Sequence, residues 1–125
     1  MRQGSCSLEN VSYQNKKDWS KFNKVLEDIE PTPGLSYSAL KNIFTQAENL
    51  LILKHQAYGP KNISQAPGGP MNGLRVRMHD KMARLNHLLE NPDADTNDES
   101  LRDTLTDLMN YCVIAMMVLE GSWPK

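Results

Sequence analysis

The stretch from Ser100 to Leu119 limits most strongly how this chain can fold. Wound as a helix at about 100° per residue, it places Leu101, Leu105, Leu108, Cys112, Ala115 and Leu119 on one face. Asp103, Asp107 and Asn110 fall on the opposite face at i, i+4 and i+7, with Glu99 one turn earlier. On an ordinary surface helix the polar side would continue to the end. Here it continues as Ile114 and Met117, flanked by Val113 and Val118. A helix that is apolar all round is buried on every side. The acidic stripe therefore runs into the protein or into a subunit interface. Two carboxylates one turn apart can share a divalent cation, and oxygen donors with retained waters suit Mg²⁺. The competing reading is a solvated face with Arg102 and other bases nearby.

The rest of the chain also reads as helix. Trp19, Phe22, Val25, Leu26 and Ile29 have helical spacing behind a candidate N-cap at Asp18, and Pro31-Thr-Pro-Gly34 ends that element. A second helix starts near Ser36 or Ser38 and runs to about Tyr58, where Gly59-Pro60 stops it. Leu40, Ile43, Phe44, Ala47, Leu50, Leu51 and Leu53 form its apolar side. Residues 59–73 hold four Gly and three Pro. A loop this long inside a small domain is functional or disordered, and a ligand-wrapping lid is the preferred reading. A third helix runs from about Asn72 to Leu89, ended by Asn91-Pro92. An acidic loop and a cap at Asp98 or Ser100 precede the fourth helix, which ends at Gly121. No strand pattern and no repeat is present. The expected class is all-α: three long helices plus a shorter N-terminal one, after a polar arm at 1–16 and within one domain at 17–125.

The 125 residues suit one domain with a modest core, with 14 basic residues against 15 acidic ones. That balance gives no electrostatic case for nucleic acid or an anionic membrane, and no long face is dominated by basic residues. Cys6 and Cys112 make no disulfide framework and no zinc spacing; Cys112, inside an apolar run, reads as a buried thiol. No run reaches membrane-spanning length, and the N-terminus lacks an apolar signal core. The expectation is a cytoplasmic protein. A fourth helix apolar all round exceeds the partner surface that one copy offers, so a homodimer or higher even oligomer is expected.

Several charges sit where the pattern asks for apolar side chains. On the third helix the apolar stripe is Leu74, Met78, Met82, Leu85 and Leu88 or Leu89. Lys81 lies at its edge, flanked by Arg77 and Arg84, with Asp80 beside them. Long basic side chains can snorkel outward from such positions. They can also meet phosphates or the acidic stripe of the fourth helix. On the second helix Lys54 and Tyr58 continue the apolar side, while Glu48 and His55 share a flank. Buried charges are costly unless paired or liganded. Convergence on a phosphate ligand with Mg²⁺ explains all of them, and so does a structural ion-pair network.

Three segments carry a family resemblance: KHQAYG at 54–59, NGLRVRMHDKMARLNHLL at 72–89 and DESLRDTLTDLMNYCVIAMMVL at 98–119. Their order and spacing resemble the phage and bacterial family called nucleotide modification associated domain 1. Its pattern runs Lys-x-x-x-Tyr-Gly, then Arg-x-x-Asp-Lys-x-x-Arg-Leu, then Glu-Ser-x-x-Asp-Thr-Leu-x-Asp-Leu-x-x-Tyr. The likeness covers roughly residues 40–120. Ala57 stands where that family often has an acidic residue. The family in turn is similar to the all-α MazG-like and dimeric dUTPase-like pyrophosphohydrolases, which cleave between the α and β phosphates with carboxylate-bound Mg²⁺. Their paired Glu-x-x-Glu is absent here: Glu48 is a lone acid, and Asp103 and Asp107 are four apart rather than three.

The resemblance implies a phage-type protein acting on or binding a (deoxy)nucleoside phosphate. In that reading Asp103 and Asp107 are catalytic and, with Glu48 and Asp80, hold Mg²⁺. Lys54, Arg77, Lys81 and Arg84 meet the phosphates, and Tyr58 and Asn110 contact base or sugar. The incomplete acidic motif favours the alternative of a binding protein that sequesters a nucleotide, signalling nucleotides included. A structural helical interaction protein is the third alternative.

Overall fold

A computed structural model of the chain describes residues 33–94 and 100–125. The chain divides into two compact units, Met1–Thr45 and Gln46–Lys125. The described elements are α1 (Tyr37–Tyr58), the short α2 (Lys61–Ser64), α3 (Pro70–Glu90), a 3-10 turn at Pro92–Ala94 and α4 (Leu101–Glu120). The fold is all-α: three of the four described helices are long, and the described residues contain no strand. None of these helices is long and apolar enough to cross a membrane. The helix expected around Trp19–Ile29 and the polar arm lie outside the described residues.

Of the first unit, the described part is the Pro33-Gly34 turn and the opening turns of α1. Ser36 caps α1 by accepting a hydrogen bond at Oγ from the Ala39 N–H at 3.2 Å, which satisfies one of the donors that a helix start leaves free.

In the second unit α3 and α4 form the principal packed pair. The core cluster is Ile63, Leu74, Ile114 and Ala115, with Leu51, Met78, Tyr111, Val118 and Trp123 packed on it. Both helices start on sequence signals. Ser100 and Asp103 form a capping box: Asp103 N–H donates to Ser100 Oγ at 3.0 Å, and Ser100 N–H donates to Asp103 Oδ2 at 3.3 Å. Pro70 begins α3, where its missing N–H costs nothing.

The Gly/Pro-rich stretch is not the open lid that its composition suggests. It contains α2, whose Ile63 is 3% exposed and belongs to the core. It also packs tightly on α3: a Cβ at Gly73 would lie 2.5 Å from Ala66 Cβ, so only glycine lets the two segments meet.

Two expectations for α4 are reversed. The apolar face read from the sequence is not the buried one: Leu105 is 47% exposed, Leu101, Leu108 and Leu119 are half-buried, and of that set only Ala115 is buried. Cys112 is likewise exposed, not the buried thiol its apolar neighbourhood suggests. The buried face carries Thr104, Asp107, Asn110, Ile114 and Ala115. A similar shift occurs on α3, where Met82 is exposed and Lys81, within the stripe Leu74–Met78–Lys81–Leu85–Leu88, is half-buried.

Candidate functional site

Asp107 is the centre of a cation-rich cavity. It sits two turns into α4, on the face turned toward α3 and the C-terminal half of α1. Lys54 Nζ on α1 donates to its Oδ1 at 2.8 Å. Lys81 Nζ on α3 lies 3.0 Å from its Oδ2. Each carboxylate oxygen therefore faces its own ammonium. The Asp107 side chain is 11% exposed, Lys81 21% and Lys54 47%, so the pair with Lys54 opens toward solvent and the pair with Lys81 lies deeper. Burial by itself pushes the Asp107 carboxyl up. The hydrogen bonds from Lys54 and Lys81, together with their charge, outweigh burial and hold it below its ordinary value.

Asn110, one turn further along, is buried and donates from Nδ2 to the Ala47 carbonyl at 3.0 Å. Nearer the helix start, Arg102 donates to Gln46 Oε1 at 3.1 Å. The small side chain at Ala47, 3% exposed, allows α1 to come this close. Side-chain polar contacts thus hold the middle of α1 in register with α4. That register brings Lys54 to Asp107.

Beside this cluster is a cavity of about 410 Å³, within the size range of small-molecule sites. Its wall includes Lys54, Lys81, Arg77 and Asp107 on the charged side and Tyr58, His55 and Trp123 on the aromatic side, with Asn62, Asn110 and Tyr111 between. Trp123 reaches the wall because α4 ends in a left-handed turn. Gly121 has φ +80°, its N–H donates to Val118 O at 3.2 Å, and Ser122 N–H donates to Met117 O at 2.8 Å. This is the Schellman pattern, and it folds the chain back over the helix end. Trp123 Nε1 then donates to the Pro60 carbonyl at 3.3 Å, and its ring meets His55 edge-on at 5.2 Å. His55 Nδ1 is buried and has no hydrogen-bond partner among the described residues.

The residues that the sequence singles out divide into two groups. Lys54, Tyr58, Arg77, Lys81, Asp107 and Asn110 come together at the cavity. Glu48, Asp80, Arg84 and Asp103 do not line it. Glu48 and Asp80 are exposed, Arg84 is half-buried, and Asp103 is the partner of Ser100 in the cap of α4. The sequence pattern does not mark Trp123, Asn62 or Tyr111 as site residues, and it marks His55 only weakly. For Trp123 a signal exists: a lone large aromatic two residues after a C-terminal glycine. For Asn62 there is none.

These donors do not fit Mg²⁺. A hard divalent cation needs several oxygens with free lone pairs, and Asp107, the single carboxylate among the described residues that line the cavity, already has an ammonium on each oxygen. Among the described residues no group of three or more His, Cys, Asp or Glu is placed to hold a metal ion. Among the described residues the set suits an anion instead, with three cationic side chains against one carboxylate. Compared with protein-family models, with curated proteins and with solved structures, the chain matches none.

Proposed function

We propose that the cavity binds a (deoxy)nucleoside phosphate, with the phosphate at Lys54, Lys81 and Arg77 and the base toward Tyr58 and Trp123. The observation that carries this reading is the convergence of Lys54 and Lys81 on Asp107, at 2.8 and 3.0 Å, in the wall of a cavity with an aromatic opposite side. Asp107 holds the two ammonium groups together before a ligand arrives, so their ordering is not a cost of binding. Lys54, nearly half exposed, has further donor capacity for a phosphate oxygen. An aromatic side chain offers a stacking surface to a base, and Tyr58 is 70% exposed at the rim.

The nucleotide modification associated domain 1 resemblance supports the same reading, because its Lys-x-x-x-Tyr-Gly, Arg-x-x-Asp-Lys and Asp-Leu-x-x-Tyr motifs each contribute to this wall through Lys54, Tyr58, Arg77, Lys81, Asp107 and Tyr111. The chemistry present favours binding over hydrolysis. The Asp107 carboxylate already has an ammonium on each oxygen, which suits it to ordering the lysines more than to activating a water. In this proposal the protein is a phage-type cytoplasmic nucleotide binder that acts as a homo-oligomer, and pyrophosphohydrolase activity is the second outcome of the test.

The test is thermal unfolding of the full chain with each (d)NTP, (d)NMP and nucleoside, with and without Mg²⁺, alongside an assay for released pyrophosphate. A ligand present at about 100 times its Kd stabilises by about 2.7 kcal/mol. Nucleotides are expected to raise Tm and unphosphorylated nucleosides to leave it unchanged, and Lys81→Met should abolish the shift. No shift with any nucleotide at millimolar concentration would remove the proposal. Pyrophosphate release that needs Mg²⁺ would move the reading to hydrolysis.

A further inference from the structure

The outward face of α4 is a continuous apolar stripe. Leu101, Leu105, Met109, Cys112, Met116 and Leu119 follow one another at intervals of four or three residues, and no charge interrupts them. Leu105, Cys112 and Met116 are exposed, and the other three are half-buried. A stripe with this repeat is the seam by which one helix packs on another.

The charges beside the stripe point to its partner. Arg102, one of whose donors goes to Gln46 on α1, and Glu120, which accepts from Ser122 Oγ, are both exposed and 18 residues apart. At 3.6 residues per turn this is about five turns, so the two lie on the same edge of the stripe, about 27 Å apart. A two-fold axis at the middle of α4, perpendicular to it, generates an antiparallel copy and keeps that edge on the same side. Arg102 of each copy then stands at the height of Glu120 of the other. A parallel pair would instead put like charges at the same height. The stripe and its two end charges therefore complement a second copy of themselves in one orientation.

We infer that the protein forms a two-fold homodimer through antiparallel packing of α4 on α4, with an Arg102–Glu120 pair at each end. The axis passes near Tyr111, so Cys112 lies one residue from it. Helices pack with axes about 8–10 Å apart. The two Cys112 Cα atoms then come about 5–6 Å apart, within the range that a disulfide spans, about 4.4–6.8 Å. This inference uses the face of α4 opposite the cavity and stands independently of what the cavity binds.

The test uses the full chain carrying Cys6→Ser, so that Cys112 is its single thiol. Native mass spectrometry and light scattering at micromolar concentration should give a dimer, and mild oxidation with diamide should link it covalently, reversibly by dithiothreitol. Arg102→Glu should weaken the dimer about tenfold or more, and Glu120→Arg in the same chain should restore it. Circular dichroism of each variant reports whether the helices remain. A monomer throughout would overturn the inference. A dimer without the Cys112 link, or without rescue by the double reversal, would overturn the antiparallel arrangement.

Discussion

The two faces of α4 differ in a way opposite to their hydrophobicity. Leu105 and Met116 lie outward, whereas Thr104, Asp107 and Asn110 are buried. Residue for residue the outward face is the more apolar, yet the inward one meets the protein's own chain. The difference follows from what each face finds. The buried polar groups all have partners: Thr104 Oγ1 donates to Ser100 O at 3.0 Å, Asp107 takes two lysines, and Asn110 takes a backbone carbonyl. A buried polar group with its hydrogen bonds made costs little, and one without them costs a great deal. The inward face is therefore specific rather than greasy, and it fixes where α1 and α3 stand. The outward face is non-directional and suits a surface that arrives later.

The largest expected effect breaks this comparison within the core. Ile114→Ala, at the apolar end of the inward face, should cost about 2–5 kcal/mol, at any protein concentration. Leu105→Ala, on the outward face, should cost less than about 0.5 kcal/mol in dilute protein, where no partner covers it. Its effect should grow with concentration as dimer forms. Urea unfolding at two concentrations separates the two. An outward-face loss independent of concentration would mean that the chain itself covers Leu105.

The next effect sharpens the comparison along the acidic stripe. Asp107→Asn leaves Lys54 and Lys81 facing each other without their counter-charge and should cost about 1–3 kcal/mol. Asp103→Asn, one turn earlier in the same stripe, weakens only the cap and should cost about 0.5–1 kcal/mol. Equal losses would show that the lysine pairs add nothing beyond helix-start electrostatics.

The smallest effect is on acid stability. The carboxyl of Asp107 is held below its ordinary value in the fold. The unfolded chain therefore binds the proton more readily, and the ion pairs contribute in full above the ordinary carboxylate pKa. That contribution falls away as pH drops through the lowered value in the fold. Stability should decline below about pH 4, and Asp107→Asn should flatten that part of the curve. An acid limb of unchanged slope would assign it to other carboxylates.

Much of this arrangement is legible in the sequence. The long helices and their ends follow from local signals: Ser100 with Asp103, Asn91-Pro92, Gly59-Pro60 and Gly121. The residues that gather at the cavity are marked by being charged or polar where the period asks for apolar side chains, as with Lys54, Lys81, Asp107 and Asn110. Glu48, Asp80, Arg84 and Asp103 are marked by the same rule and lie elsewhere. Periodicity gives the side of a helix on which a residue lies and not what stands opposite. For Asp103 a second local rule, the capping box, already accounts for the carboxylate.

Sequence alone determined that the described residues are helical, closely where each long described helix begins and ends, and that Asp107 and Asn110 sit where the pattern turns inward. Those are local matters, set by hydrogen bonds and spacings within a few residues. Only the tertiary structure decided that Asp107 meets lysines from two other helices, that Trp123 folds back against His55, and that Leu105 faces outward. Each depends on residues far apart in the chain, and a helix with two apolar faces carries no local preference for which one its own chain will cover.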